Sequence, residues 1–210
     1  MTRFGLLILS ATLGTALLAC GSSNSNTGST KSAVDLVPGN NAVSGWSIDQ
    51  ANPEPITAHN WMGASDSVYG YIDGHADFWS QGPATLKLWA WQHYKNSSLP
   101  ALTGDTATIE LHVIQVASAD QASKFYDFLL SRQGTDYTSP SNWQATQPTL
   151  GTQSRIEDTS TQWWINFYQD EFYVEFQMNP SYGSDFVPSN PDLKAEAIRF
   201  AQAIASNPKI

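Results

Sequence analysis

The 210-residue chain has a single cysteine, Cys20, so no disulfide can close within it and no cysteine metal cluster can be built. Bases are scarce. Ten Lys and Arg face 19 Asp and Glu, a net charge of −9, which excludes the electrostatic grip that nucleic acid or an anionic lipid surface requires. The histidines, at 59, 75, 93 and 112, include no pair at i, i+4. H-E-x-x-H, G-x-S-x-G and G-x-x-x-x-G-K-[ST] are all missing, so zinc hydrolysis, a nucleophile elbow and a phosphate-cradling loop lose their usual signatures. No metal and no cofactor is expected. Internal repeats and a second linker are also lacking.

What is present begins with MTRFGLLILSATLGTALLAC. One arginine precedes an apolar stretch from Phe4 to Leu18, and fifteen residues at about 1.5 Å each fall short of a bilayer core of roughly 30 Å. The stretch therefore reads as the h-region of a signal peptide over residues 1–19 rather than as a span. It ends in Leu17-Leu18-Ala19-Cys20, which resembles the bacterial lipobox. The resemblance implies cleavage before Cys20, a thioether-linked diacylglycerol on its sulfur and a third acyl chain, palmitate or similar, on the new amino terminus. Two lipid signals already suffice for stable anchoring. The competing reading is an ordinary secreted protein with an incidental cysteine. Loss of Arg3 with the leader leaves nine bases against 19 acids, a net charge near −10, so membrane contact is expected through the lipid on Cys20 alone. Gly21 in place of an aspartate implies an outer-membrane destination in a Gram-negative envelope.

Residues 20–34 follow as a lipidated Gly/Ser/Asn/Thr tract, GSSNSNTGSTKSA, with too little apolar surface to fold. Residues 35–210 fit one domain of ordinary size. After an irregular start with a short strand near Trp46, Ser65 or Asp66 caps an expected helix that Gly82-Pro83 stops near Ser80. Its acidic stripe, Asp66, Asp73 and Asp77, lies opposite His75 at 100° per residue, so no single ion can be held by both. TLKLWAWQHY (85–94) and TATIELHVIQV (106–116) alternate with period two. Ser118 opens a second helix with Ala122, Phe125 and Leu129 on one face, ending at Gly134. Beyond a turn-rich stretch, a strand near 154–157 and a hairpin of WWINFY and EFYVEFQM are predicted. Asn190-Pro191-Asp192 starts a third helix with Leu193, Ala197, Phe200, Ala201 and Ile204 as its apolar stripe. The expected class is α+β, a mostly antiparallel sheet with about three packed helices.

Tyr69-Gly70-Tyr71-Ile72-Asp73-Gly74-His75-Ala76-Asp77 resembles the Y-x-Y-I-[ND]-G-x-A-[ED] helix of domain of unknown function 6599, a bacterial exported family. Val37-Pro38 before Gly45-Trp46, the SADQASKFYDFL block and the WWINFYQDEFYVEF hairpin are also similar. The likeness covers roughly residues 35–205 and departs at His75, where a small residue is commoner. It implies an exported α+β domain and supplies no functional residues.

Strand parity gathers one polar, aromatic face. Opposite Leu88 and Leu111 stand Lys87, Trp89, Trp91, His93, Glu110 and His112, and the hairpin adds Trp164, Asn166 and Tyr168, with Tyr173 and Glu175. Flat rings mixed with amides, carboxylates and imidazoles suit a protein, peptide or glycan ligand. The plainer reading is that a helix covers this face and makes its tryptophans core. Two functions follow: a non-enzymatic, lipid-anchored binding or scaffold module, or a hydrolase of cell-envelope glycan using Glu110 and Glu175 as an acidic pair. Exposure of Trp89 and Trp91 discriminates them.

Overall fold

Period-two alternation produces strands wherever it was strongest. The computed structural model describes residues 31–51, 59–60, 79–99, 107–131, 143–158, 163–179 and 191–207. The strands are β1 (Ser47–Ile48), β2 (His59–Asn60), β3 (Leu86–Asn96), β4 (Ala107–Val116), β5 (Trp143–Ala145), β6 (Gln153–Asp158), β7 (Trp163–Gln169) and β8 (Phe172–Asn179). All pair antiparallel in one sheet ordered β1-β3-β4-β8-β7-β6-β5, with β2 also on β3. Two α-helices accompany it, α1 (Ala119–Ser131) and α2 (Pro191–Ala205), with a 3-10 turn at Ala33–Leu36. The class is α+β, with two α-helices among the described residues where about three were expected. The remaining one, with Asp66, Asp73, His75 and Asp77, lies outside the described residues apart from its last two positions, Trp79 and Ser80, which are helical.

The sheet is apolar on both faces, but unequally. One face contributes Ala90, Ile109, Leu111, Val113, Ile165, Val174 and Phe176 to a core shared with Leu193, Ala197, Phe200, Ala201 and Ile204 of α2. The other face contributes Trp89, Ile114 and Tyr173 to a smaller cluster with Trp79 and with Ala122, Phe125, Tyr126 and Leu129 of α1. Alternation predicted which side each of these strand residues takes. Leu86 is the exception. Expected beside Leu88 and Ala90, it packs instead with Trp89, because a register shift between Leu86 and Leu88 reverses the parity of the strand's first residues.

The sequence-based tether boundary shifts. Ala33 and Leu36 are wholly buried, the backbone carbonyl of Lys31 accepts from Gln115 Nε2 at 3.0 Å, and Lys31 Nζ lies 3.6 Å from Asp170. Residues 31–34 are therefore docked on the sheet, although no large apolar side chain before Val34 advertised it. Deleting residues 21–30 is expected to leave the thermal midpoint within about a degree. Deleting 21–34 should cost about 1–3 kcal/mol, from a lost buried contact and hydrogen bond, so equal midpoints for the two truncations would show that the docking is inconsequential.

Candidate binding face

Register lines up three rows across the α1 side of the sheet. The middle row runs Trp91, His112, Glu175, Asn166, Arg155 through successive cross-strand partners. On one side of it lie Trp89, Ile114, Tyr173, Tyr168 and Gln153; on the other lie His93, Glu110, Gln177, Trp164, Glu157 and Trp143. Helix α1 sits over the first of these flanking rows. Phe125 meets Tyr173 edge-on at 5.1 Å, Tyr126 approaches Tyr168 at 5.3 Å, and Trp79 stands edge-on to His112 at 5.3 Å.

The nine residues expected to form a ligand face thus divide. Trp89, His112 and Asn166 are buried beneath the cover that α1 and Trp79 provide. Trp91, His93, Glu110, Trp164 and Tyr168 are half-buried. Lys87 is exposed within the irregularity of β3 and has no place in the rows. The rings form a ladder: Trp89 and Trp91 stack at 5.5 Å, Trp91 and His112 at 6.1 Å, and His93 closes edge-on to Trp91 at 4.8 Å.

His112 is locked from both ends. Trp89 Nε1 is a donor only, and it lies 3.3 Å from His112 Nδ1, so that nitrogen must accept. Nε2 then carries the proton and donates to Glu110 Oε1 at 3.1 Å. Both ring nitrogens being occupied, His112 is a structural pin in this arrangement and has no free nitrogen to take a substrate proton.

Glu175 forms the floor. Its Oε2 accepts from the Tyr173 hydroxyl at 2.8 Å and from Asn166 Nδ2 at 3.3 Å, while Asn166 Nδ2 also donates to Tyr173 Oη at 2.6 Å. Burial raises the Glu175 carboxyl above the ordinary range; the Tyr173 bond and Arg155 pull against it, and Glu110 adds to it. Burial, then Glu175, holds the Tyr173 phenol well above its usual value.

Arg155 was not among the residues expected here. Its guanidinium is buried at the end of the middle row, Nη1 donating to the Tyr126 carbonyl at 3.0 Å and the planar group lying 4.0 Å from the Tyr126 ring centroid and 4.8 Å from that of Trp143. Parity carried the signal: with Ile156 assigned to the core, Arg155 and Glu157 must share the face of Trp164. Among the described residues, no group of three or more His, Cys, Asp or Glu could hold a metal ion, and no helix is long and apolar enough to cross a membrane.

No family model, curated protein or solved structure matches this chain. The likeness to domain of unknown function 6599 rests on the quoted motifs alone, and its most specific segment, Tyr69–Asp77, lies outside the described residues.

Proposed function

We propose that the chain is an envelope lipoprotein, held in the bilayer by acylated Cys20, whose domain is a non-enzymatic binding module. Its ligand, a glycan or peptide, lies across Trp91, His93, Glu110 and Trp164. The proposal includes a single domain running to residue 210, a third helix over about 65–80 and kinship with the exported family its motifs resemble. In a Gram-negative host the location is the outer membrane.

One observation carries the binding assignment. Half-buried rings and polar groups stand in register on a floor fixed by the Trp89–His112–Glu110 and Tyr173–Glu175–Asn166 bonds. A rigid aromatic surface binds with little entropy to lose, and its polar groups orient the ligand. The tether adds direction. Lys31 sits against Asp170 in the β7–β8 turn, whereas Trp164 lies six residues before it on β7, about 20 Å away at the usual strand rise. An anchored domain would therefore hold this band away from its attachment point. The glycan-hydrolase alternative draws less support, since Glu175 is buried with one oxygen already accepting two hydrogen bonds.

Detergent-phase partitioning tests the anchor. Wild type should enter the detergent phase and Cys20→Ala should not; equal partitioning ends the lipoprotein reading. The lipid-free Cys20→Ala protein then serves as a probe on glycan and peptide arrays. Trp91→Ala and Trp164→Ala should each weaken its signal about fivefold or more, the loss expected of a buried aromatic contact. A signal indifferent to both places the ligand elsewhere, and hydrolysis of an arrayed glycan would restore the enzyme.

A further inference from the structure

The outermost of the three rows differs from its neighbours. His93, Glu110, Gln177, Trp164, Glu157 and Trp143 are cross-strand partners in succession, one from each of six adjacent strands. The middle row beside it is buried at His112, Glu175, Asn166 and Arg155. In the outer row every residue but Glu157 is half-buried, so the cover over this face thins along one line. The result is a strip of partial exposure six strands long. Rings stand at its first, fourth and sixth positions: His93 with Trp91 edge-on to it at 4.8 Å, then Trp164, then Trp143.

The strip has a fixed pitch. Neighbouring strands lie about 4.8 Å apart, so Trp164 and Trp143 are separated by two steps, about 10 Å at the backbone, and the whole row spans about 24 Å. One step is close to the length of one pyranose in an extended β-1,4-linked chain, and in such a chain every second sugar presents the same side. An extended peptide repeats its side chains on one side every ~6.7 Å, so two steps make one and a half of its repeats. Among the described residues, each strand of the row except β5 is also paired on both sides, which leaves a peptide no main-chain bonds to make along this strip. Glu110 and Gln177, between the rings, are groups that bond sugar hydroxyls. With Glu110 and Glu157 in the row and neither Lys nor Arg, an acidic glycan is disfavoured.

We propose that this strip binds a neutral, linear β-1,4-linked glycan laid across the strands at about one sugar per strand, with sugars stacked at Trp164 and Trp143 and the far end of the chain against Trp91 and His93. The proposal rests on the binding-face reading above and deepens it by the class of ligand and by Trp143. The Arg155 guanidinium, 4.8 Å from the Trp143 ring centroid, steadies that ring at the end of the row.

Oligomers of β-1,4-linked glucose and of β-1,4-linked N-acetylglucosamine, three to six sugars long, test it by calorimetric titration of the full-length Cys20→Ala protein. At least one series should gain about fivefold or more in affinity between four sugars and six, the increment of one further aromatic contact. In Trp143→Ala the gain should stop at four, the number of positions from His93 to Trp164. Trp143→Leu, which keeps apolar packing against Arg155 and lacks the flat ring, should match it, and thermal midpoints report whether each variant is folded. A wild-type gain that already stops at four, or a hexamer weakened by Trp164→Ala but indifferent to Trp143→Ala, would overturn the six-strand site and leave the binding-face reading standing. Silence of both series would overturn the glycan assignment, and a peptide that depends on Trp91 and Trp164 would then preserve the binding face alone. A hexamer indifferent to Trp91, Trp164 and Trp143 alike would sink both.

Discussion

Replacing Phe200 by alanine should cost about 3–5 kcal/mol, the largest loss expected from any single truncation on α2. Helix α2 presents Leu193, Ala197, Phe200, Ala201 and Ile204 to the sheet, all essentially without solvent contact. Phe200 is the one aromatic among them and meets three others: Tyr94 at 5.0 Å, Trp46 at 5.4 Å and Phe176 at 5.8 Å, each edge-on. Trp46 cannot follow a retreating ring, because its indole N–H donates to Glu196 Oε1 at 2.6 Å and Arg199 ties the same carboxylate to the Ser44 carbonyl. Tyr94 is fixed in turn by its hydroxyl, which donates to the Pro38 carbonyl at 2.6 Å. With its neighbours held by polar bonds the cavity cannot collapse, and that places the cost toward the upper part of the range. A loss of this size is a large fraction of the 5–15 kcal/mol that typically separates folded from unfolded states. Urea denaturation should show a lower midpoint with an unchanged slope. Leu130→Ala, at an exposed position of α1, should stay within about 0.5 kcal/mol. A Phe200 variant as mild as the Leu130 one would mean that α2 is not the lid of this core.

The same helix shows what the sequence makes legible. Its five apolar positions repeat at three and four residues, and each is buried where a 3.6-residue period puts it. Strand parity is equally readable: Ile109, Leu111 and Val113 could only face one way once Glu110 and His112 faced the other. Hairpin register was not: a turn at Gln169-Asp170 between the two predicted strands would set Asn166 opposite Tyr173, whereas β7 runs through Gln169 and Asn166 pairs with Glu175. Coverage was not legible. Whether Trp89 is core or surface depends on where α1 comes to rest, a long-range packing outcome that no local pattern encodes, and Trp89 and Trp91 have different fates on one strand face. Docking of residues 31–34 was hidden for a related reason: Ser32 and Ala33 have no hydrophobic signal, and Ala33 is buried because a 3-10 turn lays it on β3 and β4. Arg155 escaped notice because a charged residue in a strand is ordinarily at the surface. Its burial needed two aromatic rings from distant segments, Tyr126 and Trp143.

Glu175→Gln should make stability less sensitive to pH and leave the variant the more stable protein in alkaline buffer. The carboxyl is fully inside the fold, and burial raises it above its unfolded value, opposed by the Tyr173 hydrogen bond and Arg155, and assisted by Glu110. A group raised in the folded state binds its proton more tightly there than in the unfolded chain. Its contribution is therefore complete below the unfolded carboxylate value, near 4.3, and is lost as pH rises through the folded one. Over that window wild type should lose stability with rising pH at a slope approaching about 1.4 kcal/mol per unit, the limit for a single proton. Tyr173 is held so far above its usual range that it does not titrate in the same window. Glutamine retains an oxygen that can accept from Tyr173 and Asn166, and its amide occupies the position of Oε1, which has no donor. The hydrogen bonds survive and only the titration disappears. Glu175→Ala is the control, since it strands the Tyr173 hydroxyl and leaves a cavity, and it should be destabilising by about 2–4 kcal/mol at every pH. Urea midpoints from pH 4 to pH 9 should bring wild type and Glu175→Gln closest at the acid end and separate them as pH rises, the difference levelling off above the folded value. Parallel profiles would show that Glu175 keeps one protonation state across the range, with the charge of Arg155 holding it ionised.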